Sequence, residues 1–531
     1  MKHQNHTDHS FQITPFLLLL AASLFAGFCV PSTEGSLKNP LYLAILFVFL
    51  LALIAFLVIP AIRRRKERKE AGQQGDDQNA AAQNGLQNGE LFSWKHAWLL
   101  LTAMLSGFFV KLCYVLYTQV WDRQHDVVSF GVGEGQAAYI EYFLSHKSLP
   151  DFDPRSIWGF FQPPLHHIIS ALWMRINFFL GFSERQAQEN VQILTFFYMG
   201  ALMILTYFVC RELEMEKSGT CIAVSIVSLH PVFILLSGSI NNDALSLVLM
   251  MLALYLAIVW YKRPRIITII LLALSIGLAM FAKLSGGMIA PAVAVLFVIK
   301  LIREKGKRLW FLLQYVIFGV ICVPIGLFWT VRNMLAYDMP VNYIPEVGQQ
   351  FGEVPFYQRI LDFRMESVFP AMIENGDAYY EHNIFLALLK TSLFGEYNYA
   401  NLWKAFTIPA VFLFLTAALL ALLAFGATIY LLFSKHSKLK TEWKWFFGVL
   451  YATIFASYLS FALSYSNFSA QDFRYAALLI VVESVLLGIY TDHLDVNNES
   501  QKQILHITTG ATAIFCACSF VLYFLLGFFQ P

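Results

Sequence analysis

The sequence predicts an all-α integral membrane protein, a multi-span bundle of about thirteen helices, on three observations. Of its 531 residues, 58% are hydrophobic and only 14% are charged. Apolar runs reaching the roughly 20 residues that cross about 30 Å of hydrocarbon recur along the chain. The intervening loops carry basic clusters that all fall on one side when the spans alternate. A net charge of +2 implies no nucleic-acid partner, so the basic residues matter through placement. Seven cysteines sit mostly in apolar stretches, and their spacing gives neither a disulfide framework nor a zinc site.

In chain order, spans are expected near 14–30, 41–61, 94–117, 190–210, 219–237, 243–261, 265–282, 284–302, 309–330, 404–433, 443–465, 475–491 and 505–528. The first follows a His- and Asn-rich leader and is succeeded at once by another apolar span, which argues for a retained helix rather than a cleaved signal. Arg63, Arg64, Arg65, Lys66, Arg68 and Lys69 place the end of the second span inside. Three later clusters agree, around Lys262 and Arg265, Arg303 and Arg308, and Lys435 and Lys444. Segments 118–189 and 331–403, with the turns near 238–242 and 466–474, then face outside. Residues 71–91, rich in Gln, Asn, Gly and Ala, read as a disordered linker. The chain thus divides into a two-helix hairpin over 1–62, a basic and low-complexity linker over 63–91, and a working unit over 92–531. No internal repeat is evident, against a transporter of two similar halves.

The first external segment concentrates polar chemistry at one surface: Asp122, His125, Asp126, Glu134, Glu141, Asp151 and Asp153 follow a spanning helix directly. From Gly135 to Lys147, Tyr139, Ile140, Phe143 and Leu144 recur at helical spacing, predicting a helix in the membrane interface. Gln162-Pro163-Pro164-Leu165-His166-His167 breaks one helix and starts the next, because proline is tolerated in a first turn. The stretch 165–182 carries Arg175 and Asn177, so a second interfacial or re-entrant helix is expected rather than a full span.

These strings, with Leu229-His230-Pro231, Asn241-Asn242-Asp243, Lys283-Leu284-Ser285-Gly286, Val331-Arg332-Asn333, Leu393-Phe394-Gly395-Glu396 and Asp472-Phe473-Arg474-Tyr475, resemble polytopic C-type (GT-C) glycosyltransferases. The similarity is to bacterial members of the protein O-mannosyltransferase and aminoarabinose transferase superfamily, over most of residues 120–480. It implies a GT-C-like bundle in the bacterial cytoplasmic membrane with its active site outside. It also implies a polyprenyl-phosphate sugar as donor, a hexose or pentose transferred with inversion, and a protein, glycan or lipid acceptor. The acceptor hydroxyl then needs a base, and the departing phosphate needs cations or N–H donors.

Asp126 matches the family position for the base, with Asp122 its nearest rival; the plain alternative is a loop carboxylate in water. Lys283, Arg332 and Arg474 are the external cations suited to phosphate, Arg as a planar fork and Lys as a point charge. Their plain alternatives are snorkelling for Lys283 and Arg332, and pairing with Asp472 alone for Arg474. His166, His167 and Gln162 are placed to reach a sugar or phosphate, and Asn242 and Asp243 either line the cavity or cap a helix. No spacing compels a metal, although carboxylates around Asp126 suit a hard divalent cation. Tyr343, Tyr357, Tyr379, Tyr380, Glu381, His382 and Trp403 in segment 331–403 suit a carbohydrate or headgroup, or anchor the interface. A membrane transporter or lipid flippase is the alternative function; it would place ionisable residues deep in the spans, which hold few.

Overall fold

The computed structural model describes residues 13–29, 80–121, 128–341, 343–345, 353–370 and 381–529. The span expected over 41–61 and most of the 63–91 linker lie outside the described residues. Among those described, eight helices are long and apolar enough to cross a membrane, or ten when two bent pairs each count as one. The other expected spans are the shorter helices α1 (Thr14–Cys29) and α10 (Ile266–Ala282).

Helix α2 (Ala80–Tyr117) begins inside the stretch assigned above to a linker. Its backbone continues the His96–Tyr117 span backwards to Ala80, each residue adding a hydrogen bond to an existing helix, even across the weak helix formers Asn84, Gly85, Asn88 and Gly89. The external segment then folds as expected from its periodicity, with α3 (Gly135–His146) and α4 (Leu165–Phe179). The apolar face of α3 is covered by α4: Tyr139, Ile140 and Phe143 are buried there. A short α5 (Glu184–Glu189) carries a capping box at Ser183 and leads into α6 (Gln192–Glu212).

The next span is broken. Helices α7 (Lys217–Leu229) and α8 (Pro231–Leu235) are bent by 47° at His230-Pro231. Proline lacks an N–H, and the Val232 N–H turns to His230 Nδ1 at 3.3 Å, so the Ser228 carbonyl loses its helical donor. Lys111 of α2 supplies one, its Nζ 2.5 Å from that oxygen inside the bundle. The helices approach closely here because residue 107 is glycine: a Cβ would stand 2.4 Å from the Ser228 oxygen.

Helices α9 (Asp243–Lys262), α10, α11 (Ala290–Arg303) and α12 (Arg308–Tyr337) follow, with α10 packed against both α9 and α12. The α9 span is 83% buried in the bundle whereas that of α12 is 22% buried, so α9 is an inner helix and α12 faces lipid. Within 338–403, read above as external loop, lie α13 (Phe356–Leu361) and α14 (Ile384–Phe394). Helices α15 (Thr407–Phe433), α16 (Thr441–Ser464), α17 (Ala477–Asp492) and α18 (Glu499–Leu526) complete the bundle.

The three later basic loops meet at one end, while the Arg63–Lys69 cluster lies outside the described residues. Lys262 pairs with Glu214 at 2.7 Å, Arg263 with Glu212 at 2.6 Å and Arg303 with Glu442 at 3.0 Å. Asp492 accepts hydrogen bonds there from the Glu216 and Gly219 N–H groups at 2.8 and 2.7 Å. Turns 239–242, 283–286 and 465–475 lie at the opposite end, with the external segment.

Candidate functional site

At that opposite end the chain brings together charged groups far apart in sequence. Asp243 opens α9, and its Oδ1 accepts a hydrogen bond from the Lys283 ammonium at the end of α10. Its Oδ2 lies 3.7 Å from Arg474 Nη1. Arg474 in turn donates through Nε to Asp472 at 3.0 Å, and its backbone N–H donates to the same oxygen at 2.9 Å. Tyr475 lies beneath both cations, its ring centre 5.1 Å from the Lys283 ammonium and 5.7 Å from the Arg474 guanidinium. The two cations and two carboxylates balance, which lets the group sit largely out of water. Lys283 is its most open member, with 15% of the side chain exposed against 3% for Arg474 and 8% for Asp243.

Local sequence explains the placement. Lys283 leaves α10 in an extended conformation and the chain turns back immediately, the Gly286 N–H bonding to the Lys283 carbonyl at 2.8 Å. Gly286 permits the reversal, because a Cβ would meet the Ala279 carbonyl carbon at 2.5 Å. Asp472 caps the short turn Phe473–Tyr475. That turn is held by α14, where Thr391 Oγ1 accepts from the Phe473 N–H at 3.1 Å, and by Gln471 Nε2 donating to the His382 carbonyl at 3.1 Å. Buried Arg359 of α13 donates to the Ala462 and Leu463 carbonyls at the end of α16, satisfying groups the helix terminus leaves open.

Asn242 Nδ2 donates to the Ala282 carbonyl at 2.8 Å and reaches Gln162 Oε1 at 3.4 Å. It does not cap α9 through its side chain, contrary to the capping alternative; Asn241 Oδ1 accepts from the Asp243 N–H instead, at 3.2 Å. Gln162 thus links the external segment to the turn that precedes Asp243.

His166 and His167 are buried in the fold and do not face solvent. His166 Nε2 bonds to the Ile240 carbonyl at 2.7 Å, fixing turn 239–242, while His167 bonds to Gln136 and stacks on Tyr139 at 4.4 Å. Burial lowers the His166 pKa to about 4 and pushes that of His167 well below the ordinary imidazole value, so both are neutral supports near neutral pH.

Arg332 stands apart from the Asp243 group. Its guanidinium donates to the Pro150 carbonyl and, at 2.8 Å, to Asn333 Oδ1, and lies 4.9 Å from the Trp329 ring. Trp329 donates to the Phe161 carbonyl at 3.0 Å, so Arg332 and Trp329 together pin the external segment to α12. Of the aromatics noted in segment 331–403, Tyr343 packs edge-on against Phe161 and Trp403 stacks on Phe529, while Tyr379 and Tyr380 lie outside the described residues.

Asp126, with Asp122 and His125, also lies outside the described residues. The chain on either side of them is tied to the external helices: the Val120 N–H donates to Glu189 Oε2 at 3.1 Å and the Gly131 N–H to Glu141 Oε1 at 3.0 Å. Burial raises the Glu141 pKa, and the Gly131 bond opposes the rise. Among the described residues no group of three or more His, Cys, Asp or Glu side chains converges on a metal position. Tyr475 is the member not singled out from sequence, although it stands in the Asp-Phe-Arg-Tyr string with Asp472 and Arg474.

Residues 162–329, about a third of the chain, match the family described as dolichyl-phosphate-mannose-protein mannosyltransferase. The resemblance carried by the sequence strings therefore has an independent match, over a stretch that includes Gln162, Asp243 and Lys283. No curated protein matches the chain in sequence. Among solved structures, it is similar to ArnT from Cupriavidus metallidurans bound to undecaprenyl phosphate, at 14% identity and a TM-score of 0.46, over 82% of this chain and 77% of that one. It is also similar to the oligosaccharyltransferase of Archaeoglobus fulgidus in complex with zinc and sulfate, at 13% identity and a TM-score of 0.48. That match covers 82% of this chain, which spans about half, 53%, of the archaeal protein.

Proposed function

We propose that this protein is a membrane glycosyltransferase of the GT-C class that moves a sugar from a polyprenyl-phosphate donor to an acceptor at the outer face of the membrane. The observation that carries this reading is the meeting of Lys283 and Arg474 across Asp243 at the end of the bundle opposite the basic loops. The family match over 162–329 supports a lipid-phosphate donor, and the basic loops support an outward orientation.

In this reading the Asp126 carboxylate takes the proton of an acceptor hydroxyl as its oxygen attacks the anomeric carbon from the face opposite the phosphate. The bond from that carbon to the phosphate oxygen breaks, its electron pair leaves with the lipid phosphate, and the configuration inverts. Lys283 and Arg474 offset the charge that develops on the departing oxygen, where fixed cations in a partly dry site act most strongly. Asp243 and Asp472 hold the two cations in place and balance them before the donor arrives. Gln162, Asn242 and the buried His166 and His167 position the turns, and Arg332 fixes the external segment. The test is incubation of purified protein with a panel of polyprenyl-phosphate hexoses and pentoses and membrane extract, with mass spectrometry of the acceptors. A sugar adduct that requires the lipid-phosphate donor is expected; release or translocation of intact donor without transfer would favour a flippase and overturn the proposal.

A further inference from the structure

At the basic end of the bundle lies a second recess, of 280 Å³, between the ends of α9 and α11 and the start of α16. It is separated from Asp243 by the length of α9, about 30 Å for its twenty residues. Lys300, Arg303 and Lys440 line it, together with Glu304 and Glu442. Lys300 pairs with Glu304 at 2.5 Å and Arg303 with Glu442 at 3.0 Å. Lys262, also in the lining, is taken up by Glu214 at 2.7 Å. Lys440 is exposed, and its ammonium makes no ion pair or hydrogen bond among the described residues. One positive charge is thus left uncompensated in a recess already rich in N–H donors, which complements a phosphodiester monoanion.

The surroundings are those of a lipid headgroup. The Tyr261 hydroxyl accepts from Arg303 at 3.0 Å, its ring lies 5.1 Å from the Lys300 ammonium, and Trp443 packs edge-on against it at 5.4 Å. Such aromatics favour the membrane–water interface. Beside them α11 turns apolar side chains outward, Val298 at 55% and Ile302 at 59% exposure, so an apolar surface runs alongside the polar recess.

We infer that this recess binds the headgroup of an anionic phospholipid from the leaflet at the basic end, its phosphodiester held by Lys300, Arg303 and Lys440. Basic pockets between spanning helices recognise anionic headgroups by this chemistry. The site is independent of the transfer site, and its test needs no glycosyl transfer. Purified full-length protein in detergent is titrated with phosphatidylglycerol, with phosphatidylcholine of the same chains and with inorganic phosphate, and bound lipid is counted by native mass spectrometry. Phosphatidylglycerol is expected to be retained over phosphatidylcholine. Lys300→Gln should lower its retention about fivefold and Lys440→Glu, which reverses a charge, about thirtyfold. Lys440 precedes α16 and is exposed, so an acid there suits the helix start and leaves folding intact. Lys502→Gln, an exposed change elsewhere, is the control. Equal retention of the two lipids, unchanged retention in both variants, or an equal loss in the control would overturn the inference. Complete displacement of phosphatidylglycerol by inorganic phosphate would assign the recess to free anions and overturn the lipid assignment.

Discussion

Replacing Lys283 by methionine separates a phosphate-binding lysine from one that merely neutralises Asp243. The side chain is 15% exposed and bonded to Asp243, so its loss strips a largely buried carboxylate of its nearest cation. Breaking such a pair costs about 3–5 kcal/mol, and the lower end, about 3, applies because Arg474 remains 3.7 Å from the same carboxylate. Loss of a cation that acts on the leaving phosphate costs a further 10²–10³-fold, roughly, in turnover. Single-turnover and steady-state transfer assays on detergent-purified protein, beside thermal unfolding, give both quantities, and the deficit should fall on kcat more than on KM. The double variant Lys283→Met/Asp243→Asn supplies the decision. Removing both charges should recover much of the lost stability, because neither partner is left stranded, while transfer remains impaired. Recovery of transfer in the double variant, or Lys283→Met turning over within about threefold of the parent, would refute the phosphate role, against an expected loss of about a hundredfold or more.

Three other outcomes are expected. Asp126→Asn should lower transfer about a thousandfold while donor binding, read by native mass spectrometry, persists; near-normal transfer would remove Asp126 as the base. The folded pKa of His166, about 4, lies below its ordinary value, so the unfolded chain binds more protons between about 6.5 and 4 and stability falls as pH drops through that window. The loss is at most about 3 kcal/mol; melting temperatures from pH 7 to 4.5 should fall less steeply for His166→Gln, which keeps a donor for the Ile240 carbonyl, and equal slopes would contradict the assignment. Gly286→Ala places a methyl 2.5 Å from the Ala279 carbonyl carbon and should cost about 1–3 kcal/mol and displace Lys283; an unchanged melting temperature and turnover would show that the turn relaxes freely.

The spans were legible because each is an apolar run with a length fixed by the bilayer, and α3 and α4 were legible because periodicity and the Pro163-Pro164 break mark their limits. The break at His230-Pro231 was visible as a proline, but not the lysine that makes it tolerable, since Lys111 lies on another helix. Pairing was the illegible part: Asp243 and Lys283 are 40 residues apart, and only the folded antiparallel hairpin of α9 and α10 joins them. The same limit hid the burial of His166 and His167. A histidine after a proline pair looks alike whether its ring meets a ligand or a buried carbonyl. Helix α14 was read as loop because its 11 residues are too short to register as a span, although it is what holds the Asp472–Arg474 turn.

The Lys111 bond to the Ser228 carbonyl has a consequence for how the two halves of the reaction stay in register. Helix α2 runs directly into the stretch that carries Asp126, and through Lys111 and Gly107 it also fixes the start of α8, which delivers the chain to Asp243. Both sides of the proposed reaction centre are therefore surveyed from one common benchmark. In the proposed reading, a change at position 111, six residues before the end of α2, would loosen the turn that leads to Asp243, and the fault would be felt as misalignment.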